Sequence, residues 1–495
     1  MSDPSLILAI DQGTTSTRAL VIDQTGHALH SHQIELQQFY PGDGWVEHDA
    51  NEIWQAVLES SRHVTRDLGE DIGHVKAIGI TNQRETTVIW NRATGKPVYN
   101  AIVWQDRRTA ETCKTLKDNG HENMVTEKTG LLLDPYFSAT KIAWILDHVD
   151  GARDAANNGE LAFGTIDSFL LWNLTGGNVH ATDATNASRT MLFNIQTQTW
   201  DDALLELFKV PKSLLPEVRD SAGDFGITAP GVFDIQIPVT GMAGDQQAAS
   251  IGQACFTPGM IKSTYGTGCF VMLNTGDKIP RSRNKLLATV AYRLNGHVTY
   301  ALEGSIFMAG AAVQWLRDEM KLIEHATDSE AIASTTAGTG GVYLVPAFTG
   351  LGAPYWNPDA RAAIVGMTRG TGRDHIVRAT LEAVAYQTRD LIGAMMDDSG
   401  VDIQQLRVDG GMSANNWLMQ FLADTLNVTV ERPKIIETTV LGAAYLAALG
   451  AGMYSTLDDV SHHWGLDQAF SPTMTDRDRE TLYQGWQQAV GRVIS

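Results

Sequence analysis

The sequence LILAIDQGTTSTRALVID occupies residues 6–23 and predicts the beginning of the fold. The apolar run at residues 6–10 predicts a buried strand, and residues 19–23 predict a second one. Between them, residues 11–17 predict a polar turn that is rich in threonine and contains a glycine. The predicted order is strand, turn, strand, whereas a Rossmann unit has a helix directly after its glycine turn. The glycine spacing of a Rossmann unit and the sequence of a Walker P-loop are both absent.

Three later segments also place a glycine-containing turn after an apolar run. They are IPVTGMAGDQQ at residues 237–247, GMIKSTYGTG at residues 259–268 and LRVDGGMS at residues 406–413. Because related patterns occur in both halves of the chain, the sequence predicts an α/β protein with two domains that face one cleft. We place these domains at residues 1–250 and 251–495, with no low-complexity linker between them.

Length and charge limit the classes of function. The chain has 495 residues, with 37 Lys and Arg against 57 Asp and Glu, and a formal net charge of −20. This length is too great for a single hydrophobic core. The acidic excess argues against nucleic acid or an anionic membrane as the main partner, because both require clustered Lys and Arg. A small anionic ligand is compatible with this net charge, since backbone N–H groups and a bound metal ion can hold phosphate locally.

Compartment and membrane signals are negative. The three cysteines, Cys113, Cys255 and Cys269, are scattered and form no Cys-x-x-Cys pair, so neither a disulfide framework nor a zinc site is indicated. The N-terminal residues lack the pattern of a signal peptide. The uncharged residues 438–457 are long enough for a membrane span, but their Ala and Gly content favours a buried, tightly packed helix. We therefore expect a cytoplasmic protein without an integral membrane segment.

The glycine-containing turns are suited to phosphate. Glycine lets backbone N–H groups approach a phosphate closely, and Thr and Ser add hydroxyl donors. Asp11 lies where the first predicted strand meets such a turn, so its carboxylate could hold Mg²⁺ between nucleotide phosphates, directly or through water. The alternative is an Asx-turn without a ligand. Turns of this kind in two opposed domains could hold one triphosphate between them.

Motifs along the chain resemble those of the FGGY carbohydrate kinases, within the actin-like ATPase superfamily. DQGTTSTR at residues 11–18 resembles the first phosphate motif of that family, and YFSATKIAWI at residues 136–145 resembles its N-terminal signature. Residues 363–383 resemble the C-terminal signature, and the likeness extends from Leu6 to about residue 450. This resemblance implies an α/β fold with two actin-like, ribonuclease H-like ATPase domains around a central cleft.

Two segments resemble the family members that phosphorylate glycerol. They are NQRET at residues 82–86 and GDQQ at residues 244–247, whereas pentulose kinases typically have Gly-Gln-x-His-Gly in place of NQRET. The resemblance implies ATP-dependent conversion of glycerol to sn-glycerol 3-phosphate, with ATP and Mg²⁺ bound and with a homo-dimer or homo-tetramer left open. The alternatives are another polyol or sugar kinase of the family, or an actin-like ATPase without a small-molecule acceptor. Arg84 and Glu85 argue against that ATPase, which needs no polyol pocket.

The resemblance also implies a role for each site residue. Asp245 is the expected general base, which accepts the proton of the attacking hydroxyl. Arg84 supplies a fork of donors and Glu85 a pure acceptor for neighbouring hydroxyls, although from sequence alone a surface ion pair is the favoured alternative. The other expected glycerol contacts are Trp104, Tyr136, Asp245, Gln246 and Phe270, and the expected metal ligand is Asp11. The residues expected around the nucleotide are Thr14, Thr15, Ser16, Arg18, Thr267, Gly310, Gln314, Gly411 and Asn415.

Overall fold

The computed structural model describes residues 5–357 and 359–495. The strands before residue 245 are β1 Leu6–Gln12, β2 Ser16–Asp23, β3 Ala28–Glu35, β4 Glu47–His48, β5 Val75–Asn82, β6 Val88–Asn91, β7 Ala101–Ile102, β8 Leu161–Gly164, β9 Ala181–Asp183, β10 Phe193–Asn194, β11 Thr199–Trp200, β12 Glu217–Arg219 and β13 Val239–Gly244. The α-helices up to residue 252 are α1 Ala50–Asp67, α2 Ala110–Asp118, α3 Glu122–Thr129, α4 Ser138–His148, α5 Ala152–Asn157, α6 Ile166–Leu174, α7 Ala184–Ala187, α8 Asp202–Phe208 and α9 Asp245–Gly252.

The remainder of the chain repeats the mixture of strands and helices. Its strands are β14 Ile261–Tyr265, β15 Cys269–Gly276, β16 Leu287–Leu294, β17 His297–Ile306, β18 Tyr343–Val345, β19 Ala363–Val365, β20 Gln405–Asp409, β21 Thr429–Pro433 and β22 Leu466–Phe470. Its helices are α10 Gly310–Asp318, α11 Asp328–Thr335, α12 Arg373–Ser399, α13 Asn416–Leu426, α14 Thr438–Gly450, α15 Leu457–Ser461 and α16 Asp476–Ile494. Short 3₁₀ turns occupy Gly69–His74, Lys212–Leu214 and Gly411–Ala414.

Two central sheets share one topology. The first has the order β13-β5-β1-β2-β3, in which β1, β2 and β3 are antiparallel and β5 and β13 run parallel to β1. The second has the order β16-β17-β15-β14-β20-β21-β22, in which β14, β15 and β17 are antiparallel and β20 and β21 run parallel to β14. The repeat predicted from the glycine-containing turns is therefore confirmed as two copies of one strand arrangement.

The first turn is shorter than predicted. Residues 11–17 were expected to form the turn, but β1 extends to Gln12 and β2 begins at Ser16. The antiparallel pairing continues to Gln12 opposite Thr17, and the Gly13 N–H donates to the Ser16 carbonyl at 2.9 Å. The ladder stays regular to its end, so that only residues 13–15 remain outside the strands.

Two helices join the sheets. α14 packs on the first sheet and against α9, and a buried cluster at this junction includes Ala9 of β1, Met272 of β15 and Leu446 of α14. The two helices approach closely because both have glycine at the contact: a Cβ on Gly442 would lie 1.8 Å from the Ala248 carbonyl oxygen. The division expected at residues 250/251 falls inside α9.

The buried-helix interpretation of the uncharged segment is confirmed. Residues 438–450 form α14, and most of its side chains are buried between the sheets. Among the helices of the described residues, none combines the length and the apolar character that a membrane-spanning segment requires.

Candidate active site

Three parallel strands of the first sheet bring the predicted catalytic and glycerol residues to one edge. β1, β5 and β13 are neighbours, with Asp11 opposite Thr81 and Gly244 opposite Asn82. Since parallel strands end at the same edge of a sheet, Asp11, Arg84 and Asp245 gather there. Strand order thus brings together residues that are far apart in the sequence.

Arg84 and Glu85 are buried, and the surface ion pair favoured from sequence alone is therefore wrong. Their exposed fractions are 2% and 1%. Glu85 has φ = 63°, a left-handed conformation that is strained for a residue with a side chain. Its carbonyl oxygen accepts hydrogen bonds from the hydroxyls of Ser138 at 2.9 Å and Thr87 at 3.1 Å. These bonds hold the strained loop in place.

Arg84 lies at the centre of a network of buried charges. Its Nε is 3.0 Å from Asp245 Oδ1, and its Nη1 is 2.5 Å from Glu303 Oε2. Arg189 Nε donates to Glu85 Oε1 at 2.6 Å, and Arg189 Nη2 donates to Glu303 Oε1 at 3.0 Å. The two arginines lower the pKa of Glu303 to about 2, although burial opposes the shift. Glu303 is therefore ionised over the whole physiological pH range.

Asp245 combines access with an unusual electrostatic environment. It is the first residue of α9, and its side chain is 33% exposed. Desolvation by burial raises its pKa, while the Arg84 and Lys262 cations and the hydrogen bond from the Gln246 N–H oppose that shift. A carboxylate that is exposed at one side and more basic than usual is suited to accept a proton.

Lys262 reaches this edge from the second sheet. Its buried ammonium donates to the side-chain oxygens of Gln246 and Thr264. Burial lowers its pKa, while Asp409 and Asp245 oppose the shift. The oxygen of the Gln246 amide is therefore engaged by a cation, which leaves its NH₂ group for a ligand.

Aromatic side chains connect the expected glycerol pocket to the first phosphate turn. The Trp104 and Tyr136 rings meet edge to face with centroids 5.5 Å apart. Trp104 Nε1 donates to Thr14 Oγ1 at 2.9 Å. The Trp104 indole therefore contacts both Tyr136 of the expected glycerol pocket and Thr14 of the first turn. Phe270 lies on β15, and the strand register places it on the same face of the second sheet as Glu303.

Residues 11–18, the expected first phosphate motif, carry the side chains that are expected to bind phosphate. Thr15 is exposed, while Thr14, Ser16 and Arg18 are partly exposed. Arg18 forms an ion pair with Glu437 and lies 3.5 Å from Asp11. Arg18 therefore has two carboxylate partners, Asp11 and Glu437.

The residues present fit a divalent cation at Asp11. Burial raises the pKa of Asp11 to about 6, and the nearby Asp245 and Glu437 carboxylates add to the shift while Arg18 opposes it. A bound cation would relieve this excess of negative charge. Among the described residues no cluster of three His, Cys, Asp or Glu side chains could hold a metal ion, but Mg²⁺ commonly uses only one or two carboxylates together with substrate phosphates.

The expected nucleotide residues form a second group, on the second sheet. Thr267 lies in the exposed turn between β14 and β15, and its carbonyl accepts from the N–H groups of Ala309 and Ala311 at the start of α10. A Cβ on Gly310 would lie 2.6 Å from the Gly266 carbonyl oxygen and 3.6 Å from Met412 Sδ, which places Gly411 beside this turn. Gln314 is exposed on α10.

Asn415 has a structural role in this group. Its Oδ1 accepts from the Leu418 N–H at 2.9 Å and caps α13. The structure thus brings Thr267, Gly310 and Gly411 together, while the oxygen of Asn415 is occupied within the protein.

Arg189, Glu303 and Lys262 were not predicted from the sequence. Each is a charged residue in a buried setting, and the only local signal is that Glu303 and Lys262 interrupt otherwise apolar strands, YALEGSI at residues 300–306 and GMIKSTY at residues 259–265. A charge inside a buried strand needs a partner, but the sequence does not say which one.

The fold and the site define the class of protein. The family model for the N-terminal domain of the FGGY family of carbohydrate kinases matches residues 6–252, and the model for the C-terminal domain matches residues 261–451. The chain belongs to the FGGY family of carbohydrate kinases. The predicted two-domain, actin-like α/β fold is confirmed.

Individual relatives are similar over nearly the whole chain. The glycerol kinase of Alcanivorax borkumensis is 61% identical over 487 residues, which cover 98% of each chain. Glycerol kinase 1 of Pseudomonas aeruginosa is 60% identical over 489 residues, which cover 99% of each chain. The crystal structure of Plasmodium falciparum glycerol kinase with ADP has a TM-score of 0.95, 40% identity and 99% coverage of both chains. A xylulose kinase of Lactobacillus acidophilus, at 22% identity and a TM-score of 0.88, shares the fold over 99% of both chains.

Proposed function

We propose that this protein is a glycerol kinase, which transfers the γ-phosphoryl group of ATP to a primary hydroxyl of glycerol and forms sn-glycerol 3-phosphate. The proposal rests mainly on the Asp245 carboxylate, which lies 3.0 Å from Arg84 at the sheet edge that also carries Glu85. It is supported by 60–61% identity to curated glycerol kinases over 98–99% of the chain.

The acceptor hydroxyls need both donors and acceptors. Arg84 can donate to a hydroxyl oxygen, while Glu85 can only accept, so that together they orient two neighbouring hydroxyls. Tyr136, Trp104 and Phe270 would enclose the carbon chain and exclude water. A buried polar site of this kind rejects analogues that lack a hydroxyl, because its own groups would then stay unpaired.

Asp245 would take the proton of the attacking hydroxyl. Its raised pKa makes it a better base than an ordinary aspartate, and Arg84 still favours the ionised form that is required at neutral pH. Because phosphoryl transfer passes through a loose transition state in most descriptions, positioning contributes more than early proton removal.

The nucleotide would lie between the domains, which we place at residues 1–250 and 251–495. Thr14, Thr15, Ser16 and Arg18 would hold phosphates from the first domain. The second domain would contribute Thr267, Gly310, Gln314, Gly411 and Asn415. Asp11 would hold Mg²⁺, which would supply compensation of the phosphate charge. Local groups thus compensate for a net charge of −20.

A panel of acceptors tests the proposal. ADP release is measured with glycerol, erythritol, dihydroxyacetone, xylulose and ribulose, each over a range of concentrations. We expect the highest kcat/KM with glycerol. A higher value with another polyol or sugar would indicate a different kinase of the family. ATP hydrolysis that no acceptor stimulates would instead indicate an actin-like ATPase without a small-molecule acceptor.

A further inference from the structure

Four buried side chains around the expected glycerol pocket form a closed ring of alternating charge. Arg84 contacts Glu303, Glu303 contacts Arg189, and Arg189 contacts Glu85, with the closest N–O distances of these pairs at 2.5, 3.0 and 2.6 Å. Arg84 Nε closes the ring at 3.9 Å from Glu85 Oε1. All four side chains are at most 3% exposed. Each charge thus has an opposite charge on both sides.

The ring has two kinds of members. Arg84 and Glu85 belong to the loop after β5, where the sequence predicts glycerol contacts, whereas Arg189 and Glu303 have no predicted role. Arg189 follows α7, and Glu303 lies in β17 of the second sheet. The guanidinium of Arg189 also lies 5.7 Å from the centroid of the Tyr136 ring, another expected glycerol contact.

We infer that Glu303 and Arg189 are positioning residues for glycerol recognition, and that Glu303 makes the glycerol site depend on the second sheet. The inference rests on the proposed function and deepens it. Glu303 binds both Nη atoms of Arg84, which directs the remaining Nε toward Asp245 at 3.0 Å. Arg189 engages Oε1 of Glu85, while Oε2 accepts no hydrogen bond from the described residues. The ring therefore sets the orientation of the base and of one acceptor oxygen for the substrate.

Stability alone gives a weaker account of the ring. Buried ion pairs stabilise a fold little compared with apolar side chains of the same size, because desolvation of both charges offsets their attraction. The Nη1 atom of Arg189 is buried without a hydrogen-bond partner among the described residues, which is a further cost. Such costs are tolerated where side chains must hold catalytic groups within a narrow range of angles.

The variant E303Q tests the inference, with E382Q as its matched control. Glu382 is also a glutamate that is 2% exposed and paired with one arginine, Arg378, at 2.9 Å. Glutamine keeps the shape of the side chain but cannot neutralise two guanidinium groups. We expect E303Q to raise KM for glycerol by about tenfold or more, since small errors of position at a reacting centre are costly. KM for ATP should change by less than about twofold, and E382Q should leave both values near wild type.

A specificity readout separates positioning from a structural role. The ratio of kcat/KM for glycerol to that for propane-1,2-diol, which lacks one hydroxyl, should fall by about tenfold in E303Q, because misplaced groups discriminate less. A loss of folded protein alone would reduce both rates equally and leave this ratio unchanged. An unchanged ratio together with an unchanged glycerol KM in folded E303Q would overturn the inference.

R189K is the second variant, and it tests the inference if E303Q does not fold. Lysine keeps the charge of Arg189 but cannot bridge Glu85 and Glu303 as a planar fork does. The same rise in glycerol KM and the same loss of discrimination are expected, and wild-type values would overturn the inference. Both tests presuppose a wild-type protein that phosphorylates glycerol, so the failure of that reaction would contradict the proposed function itself.

Discussion

Opposing influences set the chemistry of the site at the scale of single residues. Burial makes Asp245 more basic, and the Arg84 guanidinium at 3.0 Å favours its ionised form. A general base needs both properties at neutral pH, because it must be free of a proton and yet able to accept one. At Asp11, burial raises the pKa to about 6 although Arg18 opposes the shift, because the Asp245 and Glu437 carboxylates add to the effect of burial. The two aspartates are therefore suited to different tasks.

D245N should abolish most turnover while glycerol still binds. Asparagine retains the size and the carbonyl oxygen of the side chain, but it cannot accept a proton in the reaction. We expect kcat to fall by about 10²- to 10⁴-fold, the usual contribution of a general base. Steady-state kinetics and calorimetric titration with glycerol would measure the two effects separately. Turnover near that of wild type would rule out Asp245 as the base.

D11N should stabilise the ligand-free protein near pH 7.5. The raised pKa of Asp11, about 6, means that the folded state binds this proton more tightly than the unfolded state does. The contribution of Asp11 to stability is thus fully present below about pH 4 and is lost as the pH rises through about 6. Asparagine is neutral throughout, so the Tm at pH 7.5 should rise by about 2–4 °C, the shift that about 1 kcal/mol produces in a domain of about 250 residues.

Two controls accompany this prediction. The difference in Tm between D11N and wild type should shrink as the pH is lowered from 7.5 toward 5, because wild-type Asp11 then becomes protonated as well. Mg²⁺-dependent turnover should decrease strongly in D11N if Asp11 holds the cation. A lower Tm than wild type at pH 7.5 would contradict the prediction.

Local motifs single out candidate site residues but not the partners of those residues. Asp11 can be singled out because strand, turn and residue type coincide within a few positions, whereas Arg84 and Asp245 are identified through the resemblance of their segments to the FGGY carbohydrate kinases. The partners of the buried charges are distant: Glu303 is 219 positions from Arg84 and 114 from Arg189. Their pairing depends on how two sheets meet, which no single segment specifies.

At the scale of elements, α9 and α14 determine how the sheets are joined. α14 lies in the chain between β21 and β22 of the second sheet but packs on the first sheet, against α9. Its uncharged composition, with Gly442 at the contact, suits a helix enclosed on all sides. Asp245 is the first residue of α9, so that the proposed general base lies at one end of a helix that forms this junction.

G442A should destabilise the protein, and G393A serves as its control. A Cβ on Gly442 would lie 1.8 Å from the Ala248 carbonyl oxygen, which requires the two helices to separate. Such overpacking typically costs about 1–3 kcal/mol. Gly393 lies exposed in the middle of α12, and a Cβ added there would have no neighbour within 4 Å, so alanine should stabilise by about 0.5–1 kcal/mol. Thermal unfolding measures the Tm of G442A and of G393A. Equal Tm values for the two variants would contradict the close packing of α14 against α9.

A local sequence signal marks the beginning of α13. Asn415 caps α13, and the structure begins that helix at Asn416, as a polar side chain before an apolar helix predicts. The first turn was predicted too long, because the polar residues Gln12 and Thr17 continue the ladder between β1 and β2, and Ser16 pairs with Glu35 of β3. Pairing with a neighbouring strand outweighed the turn tendency of these residues.

At the scale of the whole molecule, two copies of one strand arrangement face each other across the site. The first sheet contributes Asp11, Arg84 and Asp245, while the second contributes Lys262 and Glu303. The net charge of −20 argues against a broad surface that binds polyanions, but it is compatible with the cations Arg84 and Lys262 at the site. The repeat of the fold could be predicted from the glycine-containing turns, whereas the contacts between the halves required the structure.

Analysis of the phosphorylated product tests the central claim most directly. The protein is incubated with ATP, Mg²⁺ and glycerol, and phosphorus NMR follows ADP, inorganic phosphate and phosphomonoester over time. The proposed function predicts one phosphomonoester, sn-glycerol 3-phosphate, formed in step with ADP and absent when glycerol is omitted. Release of ADP and inorganic phosphate at the same rate with and without glycerol, with no phosphomonoester, would contradict it.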